Sequence, residues 1–440
     1  MTVIRSTDRF LSRLESSFAV TLQDARDIID RFHEEMQLGL AGEECSLKMI
    51  PAYVGRPQGT EKGQFLALDL GGTNFRVLVV KLDGKGQAAI AVAGKFGIPH
   101  ALMHGDCVGL FDFIADGIQA FFREHKLGRQ QAYALAFTFS FPVEQSSIAS
   151  GKLIEWTKGF TASGVVGRDV VVLLAEALKR RKLGFIRIAA LANDTVGTLV
   201  AGSYADPSCD MGVILGTGTN ACYPEKSTRI GKRPGLEACG EMIVNMEWGN
   251  FDKLRTTAYD RLLDAASPSA GRQQLEKMVS GMYLGEIARR VIVEMTGKGL
   301  LFKGKYPAAF AGEYALTAEH LSLLASGADI FTSLGLAGVT AAERQAVREI
   351  GRIVSARSAG IAGAAIAAVV TWMDAHLEMD HTVAIDGSLF EKYPGYPDEM
   401  TALLQGLFGE RAARIKLRLV RDGSGIGSAI IGAVAASTRC

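Results

Sequence analysis

Twice along this chain an apolar strand runs into a glycine-rich turn and resumes as strand on the far side. The first copy is Phe65-Leu66-Ala67-Leu68-Asp69-Leu70, then Gly71-Gly72-Thr73-Asn74, then a strand from Phe75 to Leu82. The second is Cys209-Asp210-Met211-Gly212-Val213-Ile214-Leu215, then Gly216-Thr217-Gly218-Thr219-Asn220, then Ala221-Cys222-Tyr223. Apolar runs bounded by glycine turns predict hairpins, and two of them separated by long helical stretches predict an internally duplicated α/β fold. Helical periodicity is expected over residues 7–40, 252–295 and 341–376, with an irregular stretch from 45 to 62. A third strand, residues 381–385, ends at Asp386-Gly387-Ser388. A fourth segment, Arg421-Asp422-Gly423-Ser424-Gly425-Ile426-Gly427, opens the C-terminal helix.

These turns have one chemistry in common. Phosphate is bound by converging backbone N–H groups, and a turn without side chains lets the backbone come close. No G-x-x-x-x-G-K-[ST] motif occurs, and the 423–427 glycines lack the preceding strand and ribose-binding acid of a dinucleotide fingerprint. Two hairpins, an acidic residue ending the first strand and a Gly-Ser turn near the C-terminus together resemble the actin-like ATPase superfamily, which grips ATP from both sides with a duplicated unit. The resemblance implies a nucleotide site made of Asp69, Gly71, Gly72, Thr73, Asn74, Arg76, Gly216, Thr217, Gly218, Asp386, Gly387, Ser388, Gly423 and Ser424. It also implies that Asp69 lies near a Mg²⁺ brought in as Mg-ATP, through water, as that ion prefers.

At 440 residues, 48% of them apolar, the chain is expected to divide into two domains with a cleft between them. The net charge of +1 gives neither a nucleic-acid surface nor a polybasic membrane patch, so the expected partners are small molecules. Six cysteines without CxxC pairs fit reduced thiols. The opening Met1-Thr2-Val3-Ile4-Arg5-Ser6 lacks a signal peptide's apolar run, and a cytoplasmic location with no membrane segment is expected. The apolar run 359–373 is shorter than the roughly 20 residues that span a bilayer, and a buried helix is expected there.

A longer motif names a family. Leu135-Ala136-Phe137-Thr138-Phe139-Ser140-Phe141-Pro142 is followed by Ile154-Glu155-Trp156-Thr157-Lys158-Gly159-Phe160, then Leu191-Ala192-Asn193-Asp194-Thr195-Val196-Gly197-Thr198, Met246-Glu247-Trp248-Gly249 and Tyr283-Leu284-Gly285-Glu286. In this order, from about Gln64 to the end, the segments closely resemble the hexokinase family of eukaryotic hexokinases and glucokinases. Ala136 stands where the signature usually has glycine and Ala149 where a small polar residue is usual, and 297–340 is short for the family.

The resemblance implies a two-lobed actin-like, ribonuclease H-like fold with a sugar cleft between a small domain (65–194 plus 428–440) and a large one (1–64 plus 195–427). It implies Ser140, Phe141, Pro142, Thr157, Lys158, Asn193, Asp194, Asn220, Glu247 and Glu286 as the sugar site. Read from their chemistry alone, these residues suit a ring of hydroxyls: glutamates accept, asparagines donate and accept, and Ser140, Thr157 and Lys158 close the remaining positions. Asp194 alone is a helix cap. In the family its counterpart is the general base, with Lys158 and Arg76 as candidates for charge stabilisation. The expected activity is ATP-dependent phosphorylation of a hexose, D-glucose foremost, at its 6-hydroxyl. The competing readings are a catalytically silent sugar sensor and an ATPase without a sugar. His100, His104 and Cys107 are spaced like zinc ligands but lack a fourth, and no transition metal is assigned.

Overall fold

The computed structural model describes the chain except residues 1, 131, 158, 234, 236–239, 337 and 438–440. Its frame is two sheets of the same design. The first holds β1 (Lys62–Leu70), β2 (Asn74–Asp83), β3 (Ala88–Gly97), β4 (Tyr133–Phe139) and β5 (Ile186–Ala192) in the order β3-β2-β1-β4-β5. The second holds β6 (Cys209–Leu215), β7 (Thr219–Lys226), β8 (Glu241–Asn245), β9 (His381–Asp386) and β10 (Ile415–Leu419) in the order β8-β7-β6-β9-β10. The first three strands of each set pair antiparallel and the last two join in parallel, so one sheet repeats the other strand for strand. Ile50–Pro51 adds a short antiparallel edge to β8. The duplication expected from the two hairpins is present.

The hairpin strands β1 and β6 are central, with neighbours on both sides, which is why their sequences are continuous apolar runs rather than alternating ones. Between the two sheets lie the helices Asp194–Ala205 and Gly423–Ser437. A core cluster joins Ala67, Leu78 and Ala136 of the first sheet to Val196, Leu199, Ile430 and Ile431 of the helices and to Cys209 and Ala384 of the second sheet. The two helices cross on glycine. A Cβ on Gly427 would stand 1.7 Å from the Gly197 carbonyl oxygen, and one on Gly197 2.7 Å from the Ser424 carbonyl oxygen.

A second cluster, rich in phenylalanine, fills the smaller lobe between its sheet and the helices Cys107–Glu124 and Val170–Arg180. The largest surrounds the 33-residue helix Ala341–Met373, whose N-terminus is closed by a capping box between Thr340 and Glu343. By length and composition this helix could cross a membrane, and 94% of its most apolar window is buried inside the fold. Its Arg357 makes two 2.8 Å hydrogen bonds to Asp260 and sits 4.0 Å from the ring centre of Phe18.

Two expectations about helices change. The 7–40 stretch is two helices, Thr2–Phe18 and Leu22–Ala41, because Thr21 caps the second by exchanging hydrogen bonds with Asp24. The 252–295 stretch is broken into Ala258–Ala266, Gln274–Val279 and Gly281–Gly297, with Pro268 and Gly271 in the first interruption. The domain boundary expected at 194/195 falls in the first turn of one helix, and that at 427/428 falls inside another.

The glycine crossing yields a test. Gly427→Ala forces the two helices apart and costs about 3 kcal/mol, whereas Gly184→Ala, whose Cβ meets nothing within 4 Å, leaves stability unchanged. Thermal melts followed by circular dichroism measure both, and equal melting temperatures would show that the crossing does not constrain the fold.

Candidate active site

Strand register brings the turns to one edge. Leu70 pairs with Phe139 and Thr138 with Ala192, so the residues that follow β1, β4 and β5, namely Gly71, Ser140 and Asn193, leave the first sheet side by side. In the second sheet Ile214 pairs with Asp386 and Ile385 with Leu419, which aligns Gly216, Gly387 and the 420–424 segment. Ligands of parallel sheets bind beyond the carboxyl ends of such strands.

The first hairpin and the C-terminal helix are joined by charge. Asp69 is buried at the end of β1, and its Oδ2 accepts from Arg76 Nη2 at 2.7 Å, Arg76 Nε at 3.2 Å and Ser424 Oγ at 3.1 Å. Arg76 also reaches Asp422 Oδ1 at 2.5 Å. Gly71 and Gly72 need no positive φ, and a Cβ on either would meet nothing within 4 Å. The protein's own packing therefore does not demand glycine there, and the turn leaves its backbone open to a ligand. In the second sheet Gly387, with φ of 130°, packs so tightly on β6 that a Cβ would lie 2.2 Å from the Leu215 carbonyl oxygen. The Gly216 carbonyl accepts from Gly281 N at 2.8 Å and that of Thr217 from Met282 N at 3.2 Å. Of the expected phosphate residues, those at 69–76, 216–218, 386–388 and 423–424 thus share one edge of the two sheets.

Asp194 is the first residue of its helix, with Asn193 as the cap. The Thr195 N–H donates both to Asn193 Oδ1 at 3.0 Å and to Asp194 Oδ1 at 2.8 Å, which fixes the two side chains against the helix end. Asn220 Nδ2 lies within donating distance of Asn193 Oδ1 (3.4 Å), Asn245 Oδ1 (2.8 Å) and Glu247 Oε1 (3.2 Å), and Asn245 Nδ2 donates to Glu247 Oε1 at 2.8 Å. Glu247 is held in the left-handed region at φ 53°, a conformation that costs a non-glycine residue about 1 kcal/mol and clusters at functional sites. Asp386 lies close to Asp194. Burial, and then the neighbouring Asp194 carboxylate, push its own carboxyl up to about 6.

On the small-lobe side Ser140 is buried and its N–H donates to the Leu70 carbonyl at 3.1 Å. Phe141 meets Trp156 edge-on at 4.8 Å and Phe160 at 5.1 Å, and the Trp156 indole N–H donates to the Ala162 carbonyl at 2.8 Å. The Phe160 N–H donates to the Thr157 carbonyl, and the Pro142 carbonyl accepts from Ile154. This aromatic box makes a stiff platform for Thr157. Lys158 lies outside the described residues.

One expected residue stands elsewhere. Glu286 is fully buried, with Oε2 accepting from Arg289 Nε at 2.6 Å and Tyr314 N at 2.8 Å, and Oε1 from Arg289 Nη2 at 2.6 Å. Arg290 Nε is a further 2.9 Å ion-pair partner. Burial works to raise its carboxyl, but the arginines and the Tyr314 N–H outweigh that and hold it below the usual range. Its oxygens are committed to the protein. The second glutamate near Asn220, besides Glu247, is instead Glu276, whose Oε2 accepts from Thr219 N at 3.2 Å and would lie 2.8 Å from a Cβ on Gly218. Gln273 flanks it at φ 57°, with Oε1 2.7 Å from a Cβ on Gly249 beside Glu247. Asn245, Gln273 and Glu276 went unread in the sequence. Periodicity cannot rank Gln273 and Glu276 among the other polar residues of one helical stretch, although Asn245-Met246-Glu247 at a strand end was a signal.

Fold and site together define a duplicated, two-lobed protein of the actin-like class, with glycine turns at the sheet edges and a carboxylate between them. Family models for hexokinase match residues 10–204 and 210–434. Rice hexokinase-2 is 40% identical over 97% of this chain and 91% of its own length, and mouse hexokinase-3 is 39% identical over 97% of this chain and 47% of its own. The chain thus spans about half the length of the mammalian relatives it matches. A Schistosoma mansoni hexokinase solved in complex with glucose superposes with a TM-score of 0.89 at 36% identity, covering 97% of this chain and 99% of that one. The chain belongs to the hexokinase family.

The raised carboxyl sets a pH dependence. A carboxyl of about 6 when folded and 3.8 when unfolded binds protons more tightly in the fold, so stability falls as pH rises between those values. Asp386→Asn removes that fall, worth at most about 3 kcal/mol for two pH units. Ligand-free melting curves from pH 4 to 7 check it, and parallel curves for the two proteins would refute the assignment.

Proposed function

We propose that this chain transfers the γ-phosphoryl group of ATP to the 6-hydroxyl of a hexose, D-glucose foremost, with Asp194 as the general base. The observation that carries the reading is the position of Asp194. One neighbour is the Asn193, Asn220, Asn245 and Glu247 network, and the other is Asp386 at the end of a strand next to a glycine turn.

A hexose exchanges its hydration for fixed donors and acceptors, and the asparagine–glutamate network offers both, already oriented by its internal hydrogen bonds. Glu276 adds a carboxylate from the large lobe, while Ser140 and Thr157 approach from the small lobe, with Lys158 next to Thr157 in sequence. Asp194, held by the Thr195 N–H, accepts the proton of the attacking hydroxyl on one oxygen. The transferring group develops charge on its equatorial oxygens, and backbone N–H groups of the glycine turns with Lys158 and Arg76 are suited to receive it. Arg76 is bound to Asp69 and Asp422, which keeps its guanidinium aimed along the nucleotide edge. ATP comes with Mg²⁺, for which the hard oxygens of Asp69 and Asp386 at that edge are fitting neighbours, Asp69 through water. Closing the two lobes over the sugar excludes water, the competing acceptor.

Asp194→Ala is expected to lower kcat by about 10²- to 10⁴-fold while hexose binding stays measurable. A coupled assay with Mg-ATP across glucose, mannose, fructose and glucosamine reads it, and near-normal turnover would remove Asp194 as the base. Wild-type protein inactive on the whole panel but binding sugar would make it a sensor.

The two glutamates separate by kind of defect. Glu276→Gln weakens a charged hydrogen bond to sugar, worth about 1.5–3 kcal/mol and so a roughly 10- to 100-fold higher KM, with an unchanged melting temperature. Glu286→Gln leaves two arginines without their buried counter-charge and costs about 3 kcal/mol of stability. The reverse pattern in kinetics and melts would restore Glu286 to the sugar site.

A further inference from the structure

The rim of the cleft carries three ion pairs that cross from one lobe to the other. Glu155 of the small lobe faces Arg272 Nη1 at 2.7 Å and Lys48 Nζ at 3.6 Å, both on the large lobe, and Glu144 beside it faces Arg233 Nη2 at 3.0 Å. Each partner is anchored. Glu155 immediately precedes Trp156, which is locked among Phe141 and Phe160 and hydrogen-bonded to Ala162. Arg272 immediately precedes Gln273, and its carbonyl accepts from the buried Lys277 Nζ at 2.8 Å, whose Nζ also reaches Asp264 at 2.6 Å. Lys48 lies two residues before the Ile50–Pro51 edge strand, and its carbonyl accepts from Lys232 at 2.6 Å.

We infer that Glu155 is a positioning residue that sets the closure of the cleft through its ion pairs with Arg272 and Lys48. The inference rests on the hexose reading given above. Its physical basis is leverage: Glu155 is two residues from Thr157, and Arg272 is four from Glu276. One ion pair therefore ties the segment carrying Thr157 to the start of the short helix carrying Glu276. The aromatic box on one side and the Lys277 clamp on the other transmit the attraction instead of absorbing it. The charges are partly exposed, with Glu155 at 32% and Arg272 at 58%, so the interaction is modest and sensitive to salt. A modest bias suits a cleft that must reopen to release product. Because the pair touches no reacting atom, it acts on how readily the lobes meet and not on the chemical step.

The test compares wild type with E155Q, E155R and the double variant E155R/R272E. E155Q is expected to raise the KM for glucose about two- to fivefold with kcat within a factor of about two. Raising salt from about 50 to 500 mM should increase the wild-type KM more than that of E155Q, which keeps only the Glu144–Arg233 pair. The double variant is expected to lie closer to wild type than E155R alone. Small-angle scattering without any sugar supplies an independent reading: the radius of gyration of wild type should grow with salt, while E155Q is already expanded at low salt. A wild-type KM and low-salt radius in E155Q, or a double variant no better than E155R, would overturn the inference. If wild type phosphorylates no hexose, the functional reading fails while the scattering comparison still decides the latch.

Discussion

The structure depends on a close crossing of two helices. Asp194–Ala205 and Gly423–Ser437 pass each other between the sheets with glycine against glycine, and only that closeness lets both sheets pack on the same pair. The consequence is geometric. The first turn of each helix opens at the edge where the strands end, so Asp194 and Ser424, 230 residues apart in sequence, both serve the same cleft. Neither lobe could build this site alone, because each contributes one hairpin turn and one face of the central helix pair.

Around that crossing the charges are arranged by how far each is withdrawn from water. Asp69 is buried and compensated by Arg76 and Ser424, and Glu286 is buried and compensated by two arginines. Asp386 is different. It is half-buried and close to Asp194, and of these three it is the one whose carboxyl is driven up. The Gly423 N–H and the Arg76 charge offset only part of that rise, and a carboxyl shifted this way beside a second carboxylate is a mark of functional sites. The ion pairs on the rim, half in water, are weak by comparison and suited to adjusting lobe closure.

Much of this was legible in the order of residues. The duplicated hairpins were readable because apolar runs and glycine turns are local signals, and the two sheets repeat each other as those signals required. The helix start expected at Asp194 is present, with the cap itself one residue earlier on Asn193. The site was legible less evenly. Asn193, Asn220 and Glu247 share one hydrogen-bonded network with Asp194 next to Asn193, but Glu286 and Glu276 are both glutamates in one polar, helix-prone stretch, and nothing within ten residues of either tells which faces the cleft. The break at Ser280 resets the helical phase between them.

The sequence by itself determined the family, the class of fold and the pairing of turn with strand, since all three depend on residue type and spacing over short distances. Tertiary structure alone decided which carboxylates are spent on arginine and which face the cleft. It also decided that Asn245, Gln273 and Glu276 join the site, and that Glu155 meets Arg272 across the rim. Each of those depends on the meeting of segments tens to hundreds of residues apart, and the energy of such a contact is set by burial and distance, which no local pattern encodes.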